Sequence, residues 1–223
     1  MKKILIVLTN TIRYKNTNDA TGLWLGEATE FVDEVVKAGF SVDYLSPKGG
    51  FVPLDPRSMK YTNDDDLKIY ENTDFQKRAL SKSLKPTDIV PSEYSAIYYT
   101  GGHGVMWDFP NSLELQKITE NIYQQNGYVT SVCHGIAGLL NVKIDGHYLI
   151  ENKKITGFTT AEEILAGKKK IVPFLNEQLA QEHGAIFQKK RAYKEFAIQD
   201  GQLITGQNPF SARAVAKLLI KNI

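Results

Sequence analysis

A chain of 223 residues is long enough for one large domain or two small ones, and it can bury roughly 70% of its unfolded surface without help from a disulfide or metal. With 27 Lys and Arg against 25 Asp and Glu, the net charge of +2 argues against a nucleic-acid or membrane partner. The single cysteine rules out an internal disulfide and fits a reducing compartment.

The chain opens on basic residues and an apolar run over residues 4–8. That run is too short for a signal peptide or a membrane span, so a cytoplasmic location is expected. It reads instead as a strand over residues 4–9, covered on both faces as in a parallel sheet. After a polar loop, residues 23–38 form a helix whose stripe is Leu25, Ala28, Phe31, Val32, Val35 and Val36. Residues 41–46 alternate as a second strand, completing a βαβ unit.

Residues 47–66 are rich in Pro, Gly and Asp and form an irregular excursion. A helix over 74–83 would carry Phe75, Ala79 and Leu80, and a third strand over 94–100 ends at Gly101-Gly102-His103-Gly104. Residues 111–125 are an amphipathic helix with Leu115, Ile118 and Ile122 inside. From Tyr128 a β-branched run leads to Cys133 and His134, and residues 135–140 are helix-compatible. Beyond this elbow, short strands are expected within 142–158, a helix over 173–184 with Pro173 in its first turn, a hairpin around Asp200-Gly201, and a closing helix over 208–223. The expected architecture is α/β: a central, mostly parallel sheet flanked by helices on both faces, in one domain spanning 1–223.

A strand that turns sharply into a helix lifts the corner residue above the sheet edge. A cysteine there meets a helix N-terminus, which favours thiolate over thiol; a buried structural cysteine would show the same local pattern. His134 stands next to it as a candidate base, or as a polar residue on a helix end. Gly101 and Gly102 offer unobstructed N–H groups for an oxyanion, or simply a turn. Glu27 lies early in the first helix, and Glu162 and Glu163 open a short one; first-turn carboxylates are also favoured by the helix dipole alone. His103, His147 and His183 show no zinc-ligand spacing.

Several motifs occur together and in order: Thr21-Gly-Leu-Trp-Leu-Gly-Glu27, Ser46-Pro-Lys-Gly-Gly, Thr100-Gly-Gly-His-Gly followed by Asp108-Phe-Pro, Ser131-Val-Cys-His-Gly, Gly157-Phe-Thr-Thr-Ala-Glu-Glu163 and Thr205-Gly-Gln-Asn-Pro. Running from residue 4 to about 215, this set resembles the ThiJ/PfpI superfamily, and within it the heat-shock glyoxalase/chaperone branch with a class I glutamine amidotransferase-like, flavodoxin-like fold. The resemblance implies Cys133 as nucleophile, His134 as its base, and Glu163 as the third carboxylate, with Glu162 the alternative should the register slip. It implies Glu27 as the protonated partner of the sulfur, and His103 and Trp24 as pocket lining. It also implies cap-like structure around 47–90, a homodimer, and a small dicarbonyl substrate: methylglyoxal turned to lactate without glutathione, metal or cofactor. A holdase chaperone, a cysteine hydrolase (peptidase, amidase or deglycase) and, less readily, a glutamine amidotransferase fit the same residues. Oxidation of Cys133 fits as a side property of a reactive thiol.

Overall fold

The opening apolar run becomes an inner strand of a six-stranded sheet in a computed structural model that describes residues 3–15 and 17–223. Met1, Lys2 and Asn16 lie outside the described residues, and with them the start of the basic N-terminus and one position of the polar loop. β1 (Lys3–Val7), α1 (Leu25–Lys37) and β2 (Ser41–Leu45) form the expected βαβ unit, with β1 and β2 parallel. The excursion holds α2 (Asp64–Glu71), which the sequence reading missed, although Asn63 and Asp66 make the reciprocal capping hydrogen bonds that start it. The helix expected over 74–83 is a π-helical segment, Phe75–Ser81, burying Phe75 and Ala79.

β3 (Tyr94–Tyr99) is followed by the short α3 (Val105–Asp108), then α4 (Leu113–Gln124), β4 (Tyr128–Val132) and a 3₁₀ turn, Cys133–Gly138. Two-residue ladders come next: β5 (Lys143–Ile144) with β6 (His147–Tyr148), and β7 (Lys154–Ile155) with β8 (Ile186–Phe187). Between the partners of the second ladder lie α5 (Thr160–Leu165) and α6 (Asn176–Glu182). Pro173 therefore precedes α6 and does not open it. The chain closes with the antiparallel hairpin β9 (Ala197–Asp200) and β10 (Leu203–Gly206), a 3₁₀ turn at Pro209–Ser211, and α7 (Ala212–Ile220).

The sheet order is β2-β1-β3-β4-β10-β9, parallel except for β9. Alternation along β1 explains its unbroken apolar sequence. Leu5 and Val7 enter one core with Leu115, Ile118 and Ile122 of α4, while Ile4 and Ile6 enter the other with Phe31 of α1 and Val215 of α7. Val36 is a correction to the expected stripe: it is 49% exposed and lies outside the core. No helix among the described residues is long and apolar enough to cross a membrane.

Candidate active site

Three neighbouring strands aim the site. α1 follows β1, the Gly101 loop follows β3, and Cys133 follows β4, so all three arrive at carboxyl ends of adjacent parallel strands. Cys133 turns the corner with φ +56, a left-handed conformation that non-glycine residues seldom adopt. The Cys133 carbonyl accepts from Phe158 N–H at 3.0 Å, fixing the turn against the segment that leads to α5. The turn is a six-residue 3₁₀ helix, Cys133–Gly138, that begins at the corner residue itself, two residues before the expected helix-compatible stretch 135–140.

Cys133 Sγ lies 3.3 Å from His134 Nδ1. On the far side of that ring, His134 Nε2 lies 2.9 Å from Glu163 Oε2. The other oxygen, Glu163 Oε1, is 2.8 Å from His103 Nε2. All four side chains are buried. The two imidazoles hold the Glu163 carboxyl well below the usual carboxylate range, overcoming its burial. His103 is pushed down to about 4, first by burial and then by His134.

Glu27 is fully buried, not solvated as a first-turn glutamate usually is. Its Oε2 accepts the Gly101 N–H at 2.6 Å, and its Oε1 has no partner among the described groups. A side chain at 101 would begin 2.5 Å from that Oε2, so the approach requires glycine. Burial pushes the Glu27 carboxyl up to about 8, and the nearby Cys133 thiol and the Gly101 N–H relieve this only partly. Burial, with the Glu27 carboxyl beside it, pushes the Cys133 thiol well above its ordinary range. The helix-end effect expected to favour the thiolate is thus opposed by burial beside a carboxyl. With its carboxyl at about 8, Glu27 holds its proton near neutral pH.

The Gly101 N–H is occupied by Glu27 and is not available to a substrate oxygen. Gly102, at φ +99, lines the cleft, and a Cβ there would sit 2.2 Å from the Gly22 carbonyl oxygen. The cleft has a volume of ≈ 650 Å³; Cys133, His134, His103 and Trp24 line it. Arg57 and Tyr61 from the excursion line it too, as do Phe158, Tyr193 and Phe210. The Trp24 and Tyr61 rings lie 5.5 Å apart, so the excursion contributes part of the cleft wall.

Glu162 has different company. Its Oε2 accepts from the Thr159 N–H and hydroxyl, and its Oε1 from Tyr193 N–H, Gln207 and Asn208. It contacts neither catalytic histidine candidate. Sequence reasoning missed Arg57, Glu30, Tyr193 and Phe210. Arg57 sits in an irregular segment and Tyr193 in another, where no periodicity signals which way a side chain faces. Glu30 was reachable: it lies one turn beyond Glu27 on the same helix, borders the cleft, and is raised to about 7, chiefly by burial. His103, His134 and Glu163 are the only described group whose ligating atoms lie close enough to suggest a metal. Each imidazole instead meets its own carboxylate oxygen at hydrogen-bonding distance.

A buried cysteine, imidazole and carboxylate in series, with a second carboxyl on the sulfur, make a nucleophile with a base and an acid. The sequence pattern of the DJ-1/PfpI family matches residues 20–222. The chain belongs to the DJ-1/PfpI family. Among similar DJ-1/PfpI proteins, the glutathione-independent glyoxalase HSP31 of Saccharomyces cerevisiae is 35% identical, covering 96% of this chain and 95% of that one. The crystal structure of glyoxalase III from Candida albicans superposes with a TM-score of 0.91 at 31% identity, covering 99% and 96% of the two chains. The X-ray structure of Rapid Encystment Protein 24 KDa from Francisella tularensis superposes with a TM-score of 0.96 at 35% identity, covering 99% and 98%.

Proposed function

We propose that this DJ-1/PfpI protein is a glutathione-independent glyoxalase that converts methylglyoxal and water into lactate. The observation that carries this reading is the Cys133–His134–Glu163 series with the neutral Glu27 carboxyl beside the sulfur. The names of the relatives in yeast and Candida support it.

His134 Nδ1 takes the thiol proton as Sγ bonds to the aldehyde carbon, and returns it to the new alkoxide, giving a hemithioacetal. His134 then removes the hydrogen of that carbon while Glu27 protonates the ketone oxygen, which forms an enediol. His134 delivers its proton to the former ketone carbon. Glu27 takes back a proton from the first hydroxyl, leaving a thioester. The aldehyde carbon is oxidised and its neighbour reduced, so no outside oxidant enters. Water, with His134 as base, splits the thioester; lactate leaves and the thiol is restored. Gly102, with the backbone N–H of His134, is the donor pair for the developing oxyanion. Oε1 of Glu27 suits its role because it has no partner in the resting site.

The test is turnover of methylglyoxal by the purified protein without glutathione, with lactate measured as product. The expected result is turnover by wild type and none by Cys133→Ala; equal rates would refute the assignment. A homodimer is part of the same reading, and light scattering after size exclusion checks it.

A further inference from the structure

Arg57 lies one residue beyond the reacting set and does not touch Cys133's sulfur, yet its placement is elaborate. Its Nε donates to Asp55 Oδ1 at 2.9 Å and its Nη2 to Asp55 Oδ2 at 2.6 Å. Tyr14 Oη is a further partner of Nη2. Asp55 is fully buried and is held in turn by the Thr21 hydroxyl at 3.1 Å. The guanidinium so fixed puts Nη2 3.2 Å from His103 Nδ1.

A guanidinium nitrogen has hydrogens and no lone pair to offer. Nη2 has two hydrogens for its three neighbours, Asp55, Tyr14 and His103; an Nδ1–H on His103 would oppose them and the guanidinium charge, so that nitrogen presents its lone pair. A neutral imidazole then carries its proton on Nε2, and that N–H donates to Glu163 Oε1. With one oxygen of Glu163 taken by His103, the other accepts the Nε2–H of His134. His134 is left with a bare Nδ1, and it is this atom that faces the Cys133 sulfur. Arg57 on the outer side of His103 and the Glu163 carboxylate on the inner side thus favour the same proton pattern.

We infer that Arg57 is a positioning residue: acting through His103, it fixes the proton arrangement that leaves His134 Nδ1 free to accept the Cys133 proton. The low position of His103, to which the nearby Arg57 charge contributes, agrees with a neutral ring.

Tautomer-resolving long-range ¹H–¹⁵N spectra of the wild type at neutral pH test the premise. The expected result is a His103 proton on Nε2; a proton on Nδ1 overturns the inference, even if no Arg57 variant folds. Arg57→Met is then expected to populate the Nδ1–H form, and to slow alkylation of Cys133 by iodoacetamide roughly 10- to 100-fold, the range for a lost outer partner of a reactive group. Neither measurement depends on the substrate. The kinetic arm does rest on the glyoxalase reading: kcat for methylglyoxal falls by a similar factor while KM stays within about threefold. Arg57→Lys, which keeps a cation and a donor, recovers part of the loss. In a His103→Gln background, Arg57→Met has little further effect on alkylation. An equal fold-loss in both backgrounds, or an unchanged tautomer in Arg57→Met, would show that Arg57 does not act through His103. A wild type without dicarbonyl turnover would remove the glyoxalase reading while the spectra and alkylation still judge Arg57.

Discussion

Glu162 and Glu163 are adjacent in the chain, yet their carboxylates serve separate networks. Glu163 bridges His103 and His134, whereas Glu162 ties the start of α5 to Tyr193, Gln207 and Asn208. Consecutive residues on a helix point about 100° apart, so one turn of α5 serves both the proposed chemistry and the structure.

The two glutamates are therefore expected to fail differently. Glu163→Gln keeps the fold and lowers kcat by roughly 10²- to 10⁴-fold, since His134 loses the carboxylate that sets its tautomer. Glu162→Ala strands several buried donors and lowers stability by about 3 kcal/mol or more. Urea unfolding and methylglyoxal kinetics on both variants separate the effects; a Glu163→Gln enzyme as active as wild type would contradict the assignment.

Glu27 links activity and stability to pH. Its folded carboxyl sits at about 8, against an ordinary value of 4.5. Between these values the folded state holds a proton that the unfolded chain has released. The stability contributed by protonated Glu27 is full below about 4.5 and is lost as pH rises through about 8. Glu27→Gln removes that slope, so its stability relative to wild type should rise across this window by an amount on the order of a few kcal/mol. Wild-type kcat/KM should fall about tenfold per pH unit above about 8 as the acid is lost. A flat alkaline profile would exclude Glu27 as the proton donor.

The left-handed backbone of Cys133 gives a test that needs no substrate. At φ +56 a Cβ is disfavoured, and glycine avoids this by about 1–2 kcal/mol. Cys133→Gly is expected to be more stable than Cys133→Ala by about 1 kcal/mol, the reverse of the ordinary order, with both inactive. Thermal unfolding of the pair decides it, and Cys133→Ala as the more stable variant would argue against a strained elbow.

Asp108 behaves like Glu27 without taking part in the reaction. The Thr9 hydroxyl and Asn10 N–H donate to its Oδ2, each at 2.8 Å, while Oδ1 is buried without a partner. Burial lifts it from 3.8 to about 7, so its stabilising contribution declines as pH climbs between those values. Asp108→Asn should gain on wild type by roughly 2–3 kcal/mol between pH 5 and pH 8 in urea titrations. An unchanged difference would mean that the carboxyl is charged throughout.

The sheet was legible in the sequence because its inner strands are mostly apolar, as suits strands covered on both faces; residues 4–8 are apolar without interruption, and 94–99 are broken only by Ser95. Cys133 was legible from the strand that feeds it. Glu27 was not legible from local pattern, because a first-turn glutamate normally faces water, and only the long-range meeting of α1 with the Gly101 loop buries it. The choice between Glu162 and Glu163 had a usable signal. Thr159 followed three residues later by Glu162 is a capping-box pattern, which occupies Glu162 at its own helix start and leaves Glu163 for the histidine. Arg57 and Tyr193 had no such signal, since irregular segments reveal their side-chain directions only once folded.

The three strands that deliver Glu27, the Gly101 loop and Cys133 are hydrogen-bonded neighbours, whereas Tyr61, Tyr193 and Phe210 reach the cleft from turns and irregular segments. The sulfur, Glu27 and the Gly101 loop are thus mounted on the central sheet, and the rim is carried by segments outside it. Chemistry and admission are separable in such a layout. Insertions or substitutions in the rim can change which carbonyl compounds enter without moving the sulfur, so one reactive framework can be refitted to new compounds by its edges alone.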